Sequence, residues 1–274
     1  MEENTLQRAD VALCARGLAP SRERAQALIA AGLVYVGETA LKKPSQRVGA
    51  GDELRVRGEC CPYVSRGGFK LERALKSFGV SPEGLVCIDV GAYTGGFTDV
   101  LLQAGARRVY AVDVGTAQLD PRLREDPRVV QMEQTNARTL TREMFSEPPS
   151  LGVMDVSFIS ILKILPALRQ VLGDGGRLVS LVKPQFEAGR DAPGKKGVIS
   201  NAAVHERVLR EIAAAAPETG WRVRAFDCSP IAGTQGNLEF LADFVPDNGA
   251  TPLPDIQAIR ELVRRAHGEI RRRG

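Results

Sequence analysis

The chain has 274 residues, 43% hydrophobic and 26% charged, with a formal net charge of +4 at pH 7. This length allows a sizeable core and two domains, and the composition excludes a disordered or fibrous protein. Because the net charge is small, affinity for nucleic acid must come from local basic patches and not from a global field.

The composition also argues against metal and membrane chemistry. The five cysteines form no Cys-x-x-Cys pair, and His205 and His267, the only histidines, are expected on helix surfaces. We therefore expect no metal site and a reducing, cytoplasmic compartment. The start, Met-Glu-Glu-Asn-Thr, lacks the apolar core of a signal peptide. The longest apolar segment, residues 151–172, is interrupted by charges and a proline, which excludes a bilayer span of about twenty residues.

Residues 1–57 are predicted to form a small α+β domain. Glycines end both helical patterns, and Ser21 is a good N-cap for the second. The expected elements are helices at residues 6–16 and 21–31 and strands at residues 33–36 and 54–56. Basic side chains are dense around the helix pair and the hairpin that follows: Arg16, Arg22, Arg24, Lys42 and Lys43. On numbers alone these charges are read as a solvated surface.

The detailed sequence of this domain is more specific than its charge. The segments at residues 17–25, 28–34, 43–45 and 51–54 read GLAPSRERA, LIAAGLV, KPS and GDEL. They resemble the S-four RNA-binding domain. The resemblance implies that these basic residues form a surface that docks on structured RNA through phosphate and shape.

Residues 58–63 are predicted to be a linker, and residues 64–274 a second domain. Cys60 and Cys61 are read as small linker residues, with a redox pair as the alternative. A helix that carries Lys70 is expected at residues 69–78.

The stretch from residue 84 to residue 113 organises the second domain. A buried strand at residues 85–90 enters a helix through Gly91, Gly95 and Gly96, which lets a ligand approach the backbone at the helix N-terminus. Asp113 follows the next strand, 22 positions after Gly91, where an acid can accept hydrogen bonds from both hydroxyls of a ribose. The spacing Gly-x-x-x-Gly-Gly does not fit a dinucleotide fingerprint and suits a nucleoside without a pyrophosphate, above all S-adenosylmethionine. A βα turn without a ligand is the alternative.

Strands and helices alternate through the rest of the chain, which predicts a doubly wound, mainly parallel sheet. Further strands are expected at residues 108–112, 129–133, 151–156, 176–182, 221–227 and 238–245, and helices at 159–172 (bent at Pro166), 202–216 and 254–274. The last two strands lack a crossover helix between them and should pair antiparallel. A seven-stranded α/β sheet with an antiparallel last strand is the Rossmann-like fold expected of a class I methyltransferase.

Charged residues stand at the strand ends that surround the ligand crevice of such a sheet. Asp155 ends the fourth strand, Lys183 ends the fifth and Glu239 begins the seventh. Lys70 could reach the same crevice from its helix. Each of these residues alone could equally be a surface residue or a local ion pair.

Together, the four residues resemble the Lys-Asp-Lys-Glu tetrad of FtsJ-like ribose 2′-O-methyltransferases. With the S-four domain in front and residues 64–68 leading into Lys70, the chain resembles the TlyA (hemolysin A) family of rRNA methyltransferases over about residues 6–245. The resemblance implies S-adenosylmethionine as cofactor and a cytidine of ribosomal RNA or ribosomal subunits as substrate. We expect no obligate protein partner and no membrane.

The tetrad has a chemical rationale of its own. A ribose hydroxyl is a poor nucleophile at neutral pH and needs proton removal before it attacks a sulfonium methyl. A lysine amine can accept a proton when burial or a nearby cation lowers its pKa. We expect Lys183 to accept the hydroxyl proton and Asp155 to orient the Lys183 side chain. Lys70 and Glu239 would position the ribose and balance charge.

Further residues are predicted to bind the cofactor and the RNA. The expected cofactor-binding residues are Asp89, Gly91, Ala92, Gly95, Gly96, Asp113, Asn136 and Ala137. Asn136 and Ala137 are placed near the adenine by resemblance, whereas Asp89 either orients the loop or the methionine amine, or simply caps the glycine turn. The expected RNA contacts of the second domain are Arg66, Lys195 and Lys196.

Three other functions remain open at this stage. Residues 155–158 loosely resemble an Asp-Pro-Pro-Tyr motif of base N-methylation, but both prolines are absent. A membrane-lytic protein is suggested by the hemolysin name, although a spanning segment is missing. A non-catalytic RNA-binding factor of ribosome assembly is the third possibility.

Overall fold

The structure is a computed structural model, and it describes residues 6–19, 21–30, 32–57, 61–189 and 197–271. The chain divides into two compact units, Met1–Pro62 and Tyr63–Gly274. The division falls inside the predicted linker, residues 58–63. Cys60, of the vicinal cysteine pair, lies outside the described residues.

The first unit packs two helices against short antiparallel strands. Its elements are β1 (Gln7–Arg8), α1 (Ala9–Ala15), α2 (Arg22–Ala30), β2 (Val34–Val36), β3 (Thr39–Ala40), β4 (Arg47–Val48) and β5 (Leu54–Val56). Strand β2 pairs with β3 and β5, and β1 pairs with β4. The first helix is shorter than predicted because Gln7 and Arg8 pair with β4. Buried Leu13, Ile29 and Val34 contribute to its small apolar core.

The second unit is built on a seven-stranded sheet. Its strands are β6 (Val86–Val90), β7 (Arg108–Val112), β8 (Val129–Met132), β9 (Leu151–Met154), β10 (Arg177–Val182), β11 (Trp221–Cys228) and β12 (Phe240–Pro246). They lie in the order β11-β12-β10-β9-β6-β7-β8, and β12 is antiparallel to both neighbours. The predicted mainly parallel sheet with an antiparallel last strand is confirmed.

Helices cover this sheet and complete its core. They are α3 (Gly68–Phe78), α4 (Gly96–Gln103), α5 (Pro121–Arg124), α6 (Leu165–Leu172), α7 (Pro184–Glu187), α8 (Ala202–Ala215) and α9 (Ile256–Arg271). All five residues of β6 are buried, as expected for a central strand covered on both faces. Trp221 is fully buried, and its indole N–H donates a hydrogen bond to the Leu165 carbonyl at 2.9 Å.

Two further details, both in the second unit, differ from the sequence prediction. Residues 159–172 do not form one bent helix: a short 3-10 helix, Ile161–Lys163, precedes α6, and Pro166 lies in the first turn of α6, where its missing N–H leaves no hydrogen bond unmade. The surface position predicted for His205 is wrong, because this side chain is fully buried and its Nδ1 lies 2.9 Å from Nε2 of His267. His205 shares the apolar stripe of α8 with Val208 and Ile212.

Candidate active site

The turn between β6 and α4 has two positions at which the backbone favours glycine. Gly91 has a φ of +83° and Gly95 a φ of +92°, a region that other residues avoid. A Cβ added to Gly91 would lie 2.5 Å from the carbonyl oxygen of Asp155. At Gly95 it would collide with the side chains of Leu119 and Leu123. The glycines therefore allow the turn to pack closely against the ends of neighbouring elements.

A cavity of about 620 Å³ opens beside this turn, at the carboxyl ends of the parallel strands. Ten of the predicted site residues line it: Lys70, Gly91, Ala92, Gly96, Asp113, Asn136, Ala137, Asp155, Lys183 and Glu239. Asp89 and Gly95 are not among the described residues on its wall. One crevice thus brings together both the predicted tetrad and most of the predicted nucleoside site.

Asp113 is fixed on the cavity wall by two backbone N–H groups. Its Oδ2 accepts a hydrogen bond from Tyr93 at 2.8 Å, and its Oδ1 accepts one from Gly115 at 2.7 Å. Each carboxylate oxygen has a further lone pair. The side chain can therefore accept hydrogen bonds from a ribose without leaving its loop.

Asp89 lies beneath the glycine turn and is fully buried. Its Oδ2 accepts a hydrogen bond from the Thr98 hydroxyl at 2.7 Å, which links β6 to α4. Its Oδ1 has no hydrogen-bond partner among the described residues. Burial raises the pKa of Asp89 to about 7. The roles considered for Asp89 stay predictions, because this hydrogen bond is to Thr98 of α4 and not to the glycine loop.

The tetrad residues alternate in charge along the other side of the cavity. Nζ of Lys183 lies 2.6 Å from Oδ1 of Asp155, and Nζ of Lys70 lies 2.5 Å from Oε2 of Glu239. Lys70 is also 4.0 Å from Oδ2 of Asp155, which joins the two pairs. Glu239 is 3% exposed and Lys70 is 8% exposed, so these two charges depend on each other for stabilisation.

The topology of the sheet explains how these residues meet. Asp155 and Lys183 directly follow the parallel strands β9 and β10, whereas Glu239 directly precedes β12. Because β12 runs in the opposite direction, its first residue lies at the same edge as the last residues of β9 and β10. Lys70 reaches that edge from the first turn of α3.

Two further residues in the cavity were not assigned a role from the sequence. Ser157 accepts a hydrogen bond from Nζ of Lys183 at 2.9 Å. Phe158 is 91% exposed, has a φ of +65°, and has its ring 5.0 Å from that of Phe186. Both lie within three residues after Asp155, and that proximity in sequence is the signal that could have found them.

The predicted RNA contacts have mixed surroundings. Arg16 donates hydrogen bonds to the carbonyls of Gly49 and Ala50, and Arg22 lies 3.2 Å from the buried Asp10 carboxylate, so both also support the first unit. Arg24 is half-buried, whereas Arg16, Arg22, Lys42, Lys43 and Arg66 are exposed. Lys195 and Lys196 lie outside the described residues.

No three His, Cys, Asp or Glu side chains of the described ranges come together in a group that could hold a metal ion. Within the same ranges, no helix combines the length and the apolar character that a membrane span requires.

A seven-stranded sheet with a reversed strand, and a glycine-lined cavity at its carboxyl edge, define a class I methyltransferase. Residues 63–244 match the FtsJ-like methyltransferase family, and residues 7–54 match the S4 domain. The chain therefore belongs to the FtsJ-like methyltransferase family, with an S4 domain in front.

The chain is similar to several proteins over most of its own length and most of theirs. The "Putative rRNA methyltransferase YqxC" of Bacillus subtilis is 46% identical over 95% of this chain and 94% of its own. The "16S/23S rRNA (cytidine-2'-O)-methyltransferase TlyA" of Mycobacterium tuberculosis is 43% identical over 85% of this chain and 87% of its own. A solved structure, "Putative hemolysin from Streptococcus thermophilus", is 46% identical and covers 98% of both chains with a TM-score of 0.78.

Proposed function

We propose that this protein transfers a methyl group from S-adenosylmethionine to the 2′-hydroxyl of a ribose, in a cytidine of ribosomal RNA. The observation that carries the proposal is the pair of linked ion pairs, Lys183–Asp155 and Lys70–Glu239, in the same cavity as the glycine turn. The name of the Mycobacterium tuberculosis relative supports the choice of ribosomal RNA and of cytidine. Such a substrate fits the predicted cytoplasmic location.

The cavity fits a nucleoside-bearing cofactor. Its volume is in the range of small-molecule sites, and a side chain at Gly91 would narrow the space at the turn. The backbone around Gly91, Ala92 and Gly96 would hold the methionine part, Asp113 the ribose, and Asn136 with Ala137 the adenine. When bound, S-adenosylmethionine supplies a methyl group that its sulfonium has already activated.

In the proposed reaction the Lys183 amine would accept the proton that the 2′-hydroxyl loses. The hydroxyl oxygen would gain the methyl carbon as the bond from that carbon to sulfur breaks, which would leave S-adenosylhomocysteine. Asp155, 2.6 Å away, holds this amine and balances the positive charge that it gains. The Ser157 hydroxyl restricts the amine further. Since the electrophile is already activated, alignment of the reacting groups supplies much of the remaining acceleration.

Lys70 and Glu239 lie on the opposite side of Asp155 and would hold the ribose. Their pairing at 2.5 Å, in a nearly buried position, keeps one donor and one acceptor in a fixed place on the cavity wall. The exposed ring of Phe158 offers a face on which an unstacked base can lie. The S4 domain would supply the affinity for structured RNA through exposed Lys42 and Lys43.

The proposal is tested by labelled methyl transfer to unmodified ribosomal subunits, comparing wild type with Lys183→Ala. The matched control is Lys163→Ala, which removes an exposed lysine that does not line the cavity. We expect Lys183→Ala to lose transfer and keep its affinity for S-adenosylhomocysteine, with Lys163→Ala like wild type. Undiminished transfer by Lys183→Ala would remove this residue from the mechanism.

The position of the methyl group is read from alkaline hydrolysis of the product. A 2′-O-methyl group blocks cleavage at the modified nucleotide, because cleavage requires a free 2′-hydroxyl. Normal cleavage at the labelled nucleotide would instead indicate base methylation. Absence of any transfer by the wild type, with RNA binding intact, would favour a non-catalytic assembly factor. Leakage of liposomes would favour the lytic function.

A further inference from the structure

The helix that carries Lys70 is held in place by a buried carboxylate that is not among the described residues lining the cavity. Asp227 lies on β11 and is 5% exposed. Its Oδ2 accepts hydrogen bonds from Nε of Arg73 at 2.8 Å and from the hydroxyl of Ser77 at 2.6 Å, both on α3. Burial alone would raise the pKa of Asp227, but the hydrogen bonds from α3 hold it below its usual range. The carboxylate is therefore a charged anchor for this helix.

The second oxygen of this carboxylate is held by the C-terminal helix. Oδ1 of Asp227 accepts a hydrogen bond from the Arg265 guanidinium on α9 at 2.9 Å. Helix α9 begins at Ile256, beyond residue 244, where the match to the FtsJ-like family ends. One carboxylate thus connects α9 to α3, and α3 carries a residue of the tetrad.

A second buried carboxylate holds the far end of α3. Asp243 of β12 is fully buried and accepts hydrogen bonds from Arg177 at 2.8 Å and from Arg224 at 2.6 Å. Each guanidinium also donates to the carbonyl of Phe78, the last residue of α3, at 2.7 and 2.9 Å respectively. Two cations at a helix C-terminus donate hydrogen bonds to a carbonyl that has no partner within the helix, and they interact favourably with the helix dipole.

The spacing along α3 connects these anchors to the tetrad. Arg73 and Ser77 follow Lys70 by three and seven residues, so all three side chains lie on one face of the helix. Across the sheet, Asp227 pairs in register with Leu241, two residues after Glu239. Residues two apart on a strand point to the same side. A rotation or a slide of α3 would therefore separate Lys70 from Glu239.

We propose that Asp227 and Arg265 are positioning residues, which hold α3 in the rotation and height at which Lys70 meets Glu239. Through this contact, α9 supports methyl transfer although neither Asp227 nor Arg265 is among the described residues that line the cavity. The inference deepens the proposed function and rests on it for the catalytic consequence. The positional consequence, the burial of the Lys70 amine, does not depend on what the protein catalyses.

The test compares Arg265→Ala with Arg222→Ala. Arg222 is on the same strand as Asp227 and makes an ion pair of 2.8 Å with Asp247, and neither partner of that pair belongs to α3. The first readout is labelling of Lys70 by an amine-specific acylating reagent, quantified by mass spectrometry. Lys70 is 8% exposed and should react slowly in the wild type. We expect Arg265→Ala to raise the labelling rate of Lys70 severalfold. We expect Arg222→Ala to leave that rate unchanged, although it lowers the stability of the protein by a comparable amount.

The second readout is methyl transfer at saturating RNA and cofactor. We expect Arg265→Ala to lower kcat about tenfold, since a small displacement of a positioned group is costly, while KM for RNA and affinity for S-adenosylhomocysteine stay near wild type. Arg265→Lys, which keeps a donor, should recover part of the rate. A merely structural residue would give kcat values that follow stability, equal in Arg265→Ala and Arg222→Ala.

The two readouts separate this inference from the proposed function. Equal Lys70 labelling in Arg265→Ala and Arg222→Ala would overturn the positioning role, whatever the activity. If Lys70 becomes reactive in Arg265→Ala but the wild type transfers no methyl group to RNA, the proposed function fails and the link from α9 through Asp227 to Lys70 stands.

Discussion

Nζ of Lys70 lies 2.5 Å from Oε2 of Glu239, although 169 residues separate them in sequence. The reversed direction of β12 brings Glu239 to the edge of the sheet that Lys70 reaches from α3. Because both side chains are nearly buried, each is the main compensation for the other's charge.

Breaking this pair on one side should therefore destabilise the protein more than removing both charges. We expect Lys70→Met or Glu239→Gln alone to lower the free energy of unfolding by about 3 kcal/mol, since each leaves a buried charge unpaired. The double variant should lose clearly less than the sum of the two, as a double-mutant cycle in urea would measure. Additive losses would mean that the two charges are solvated independently.

Gly91→Ala should damage both the turn and the cavity. Its φ of +83° is strained for alanine, and the added Cβ would meet the Asp155 carbonyl. We expect a loss of about 1–3 kcal/mol in stability and weaker binding of S-adenosylhomocysteine by isothermal titration calorimetry. Gly175→Ala is the matched control, because nothing lies within 4 Å of its added Cβ and its φ is not in the left-handed region. Equal affinity in the two variants would contradict the role given to the turn.

Asp89 should give the protein a specific pH dependence of stability. Its pKa is raised to about 7 in the folded state, whereas the ordinary value is 3.8. Between these values the folded protein holds a proton that the unfolded chain has released, so the contribution of Asp89 to the free energy of unfolding falls as pH rises from about 4 to about 7. The total fall is about 4 kcal/mol.

The isosteric variant Asp89→Asn tests this prediction, because its amide oxygen can still accept the Thr98 hydrogen bond and its side chain does not titrate. We expect Asp89→Asn to be more stable relative to wild type at pH 8 than at pH 5, as measured by denaturant unfolding at both pH values. The same difference from wild type at both pH values would show that Asp89 is ionised throughout.

Phe158→Ala should lower kcat/KM for RNA without changing the affinity for the cofactor. The ring is 91% exposed and lines the cavity, so its removal costs little core packing. Stacking of a base on an aromatic ring contributes about 1–3 kcal/mol, which predicts a loss of about tenfold or more in kcat/KM for RNA. Affinity for S-adenosylhomocysteine should not change, and Phe158→Tyr should behave like wild type. Met144→Ala, at another exposed apolar residue, controls for the loss of surface area. A loss of cofactor affinity alone would contradict this prediction, because it would show that Phe158 contacts the cofactor and not the RNA.

Short-range patterns account for what could be predicted about the fold. The buried run of β6, the glycines after it and the alternation of strands with helices each depend on neighbouring residues, so the sheet could be foreseen from the sequence. The burial of His205 was missed, although its spacing to Val208 and Ile212 on α8 carried the signal. The pattern of strand ends indicated that these charged residues lie at the crevice, but their joint role as a tetrad came only from resemblance to a family, because no local pattern links Lys70 to Glu239.

The sequence alone therefore determined the strands and the glycine turn, and it indicated that the charged residues lie at one crevice. Only the tertiary structure decided which charge meets which: that Lys183 pairs with Asp155 while Lys70 pairs with Glu239, and that Asp227 holds α3 and α9 together. The reason is physical. Arginines and aspartates on helices and strand ends look like a solvated surface in sequence, and their partners are chosen by long-range packing, 38 residues away for Arg265 and 154 for Arg73.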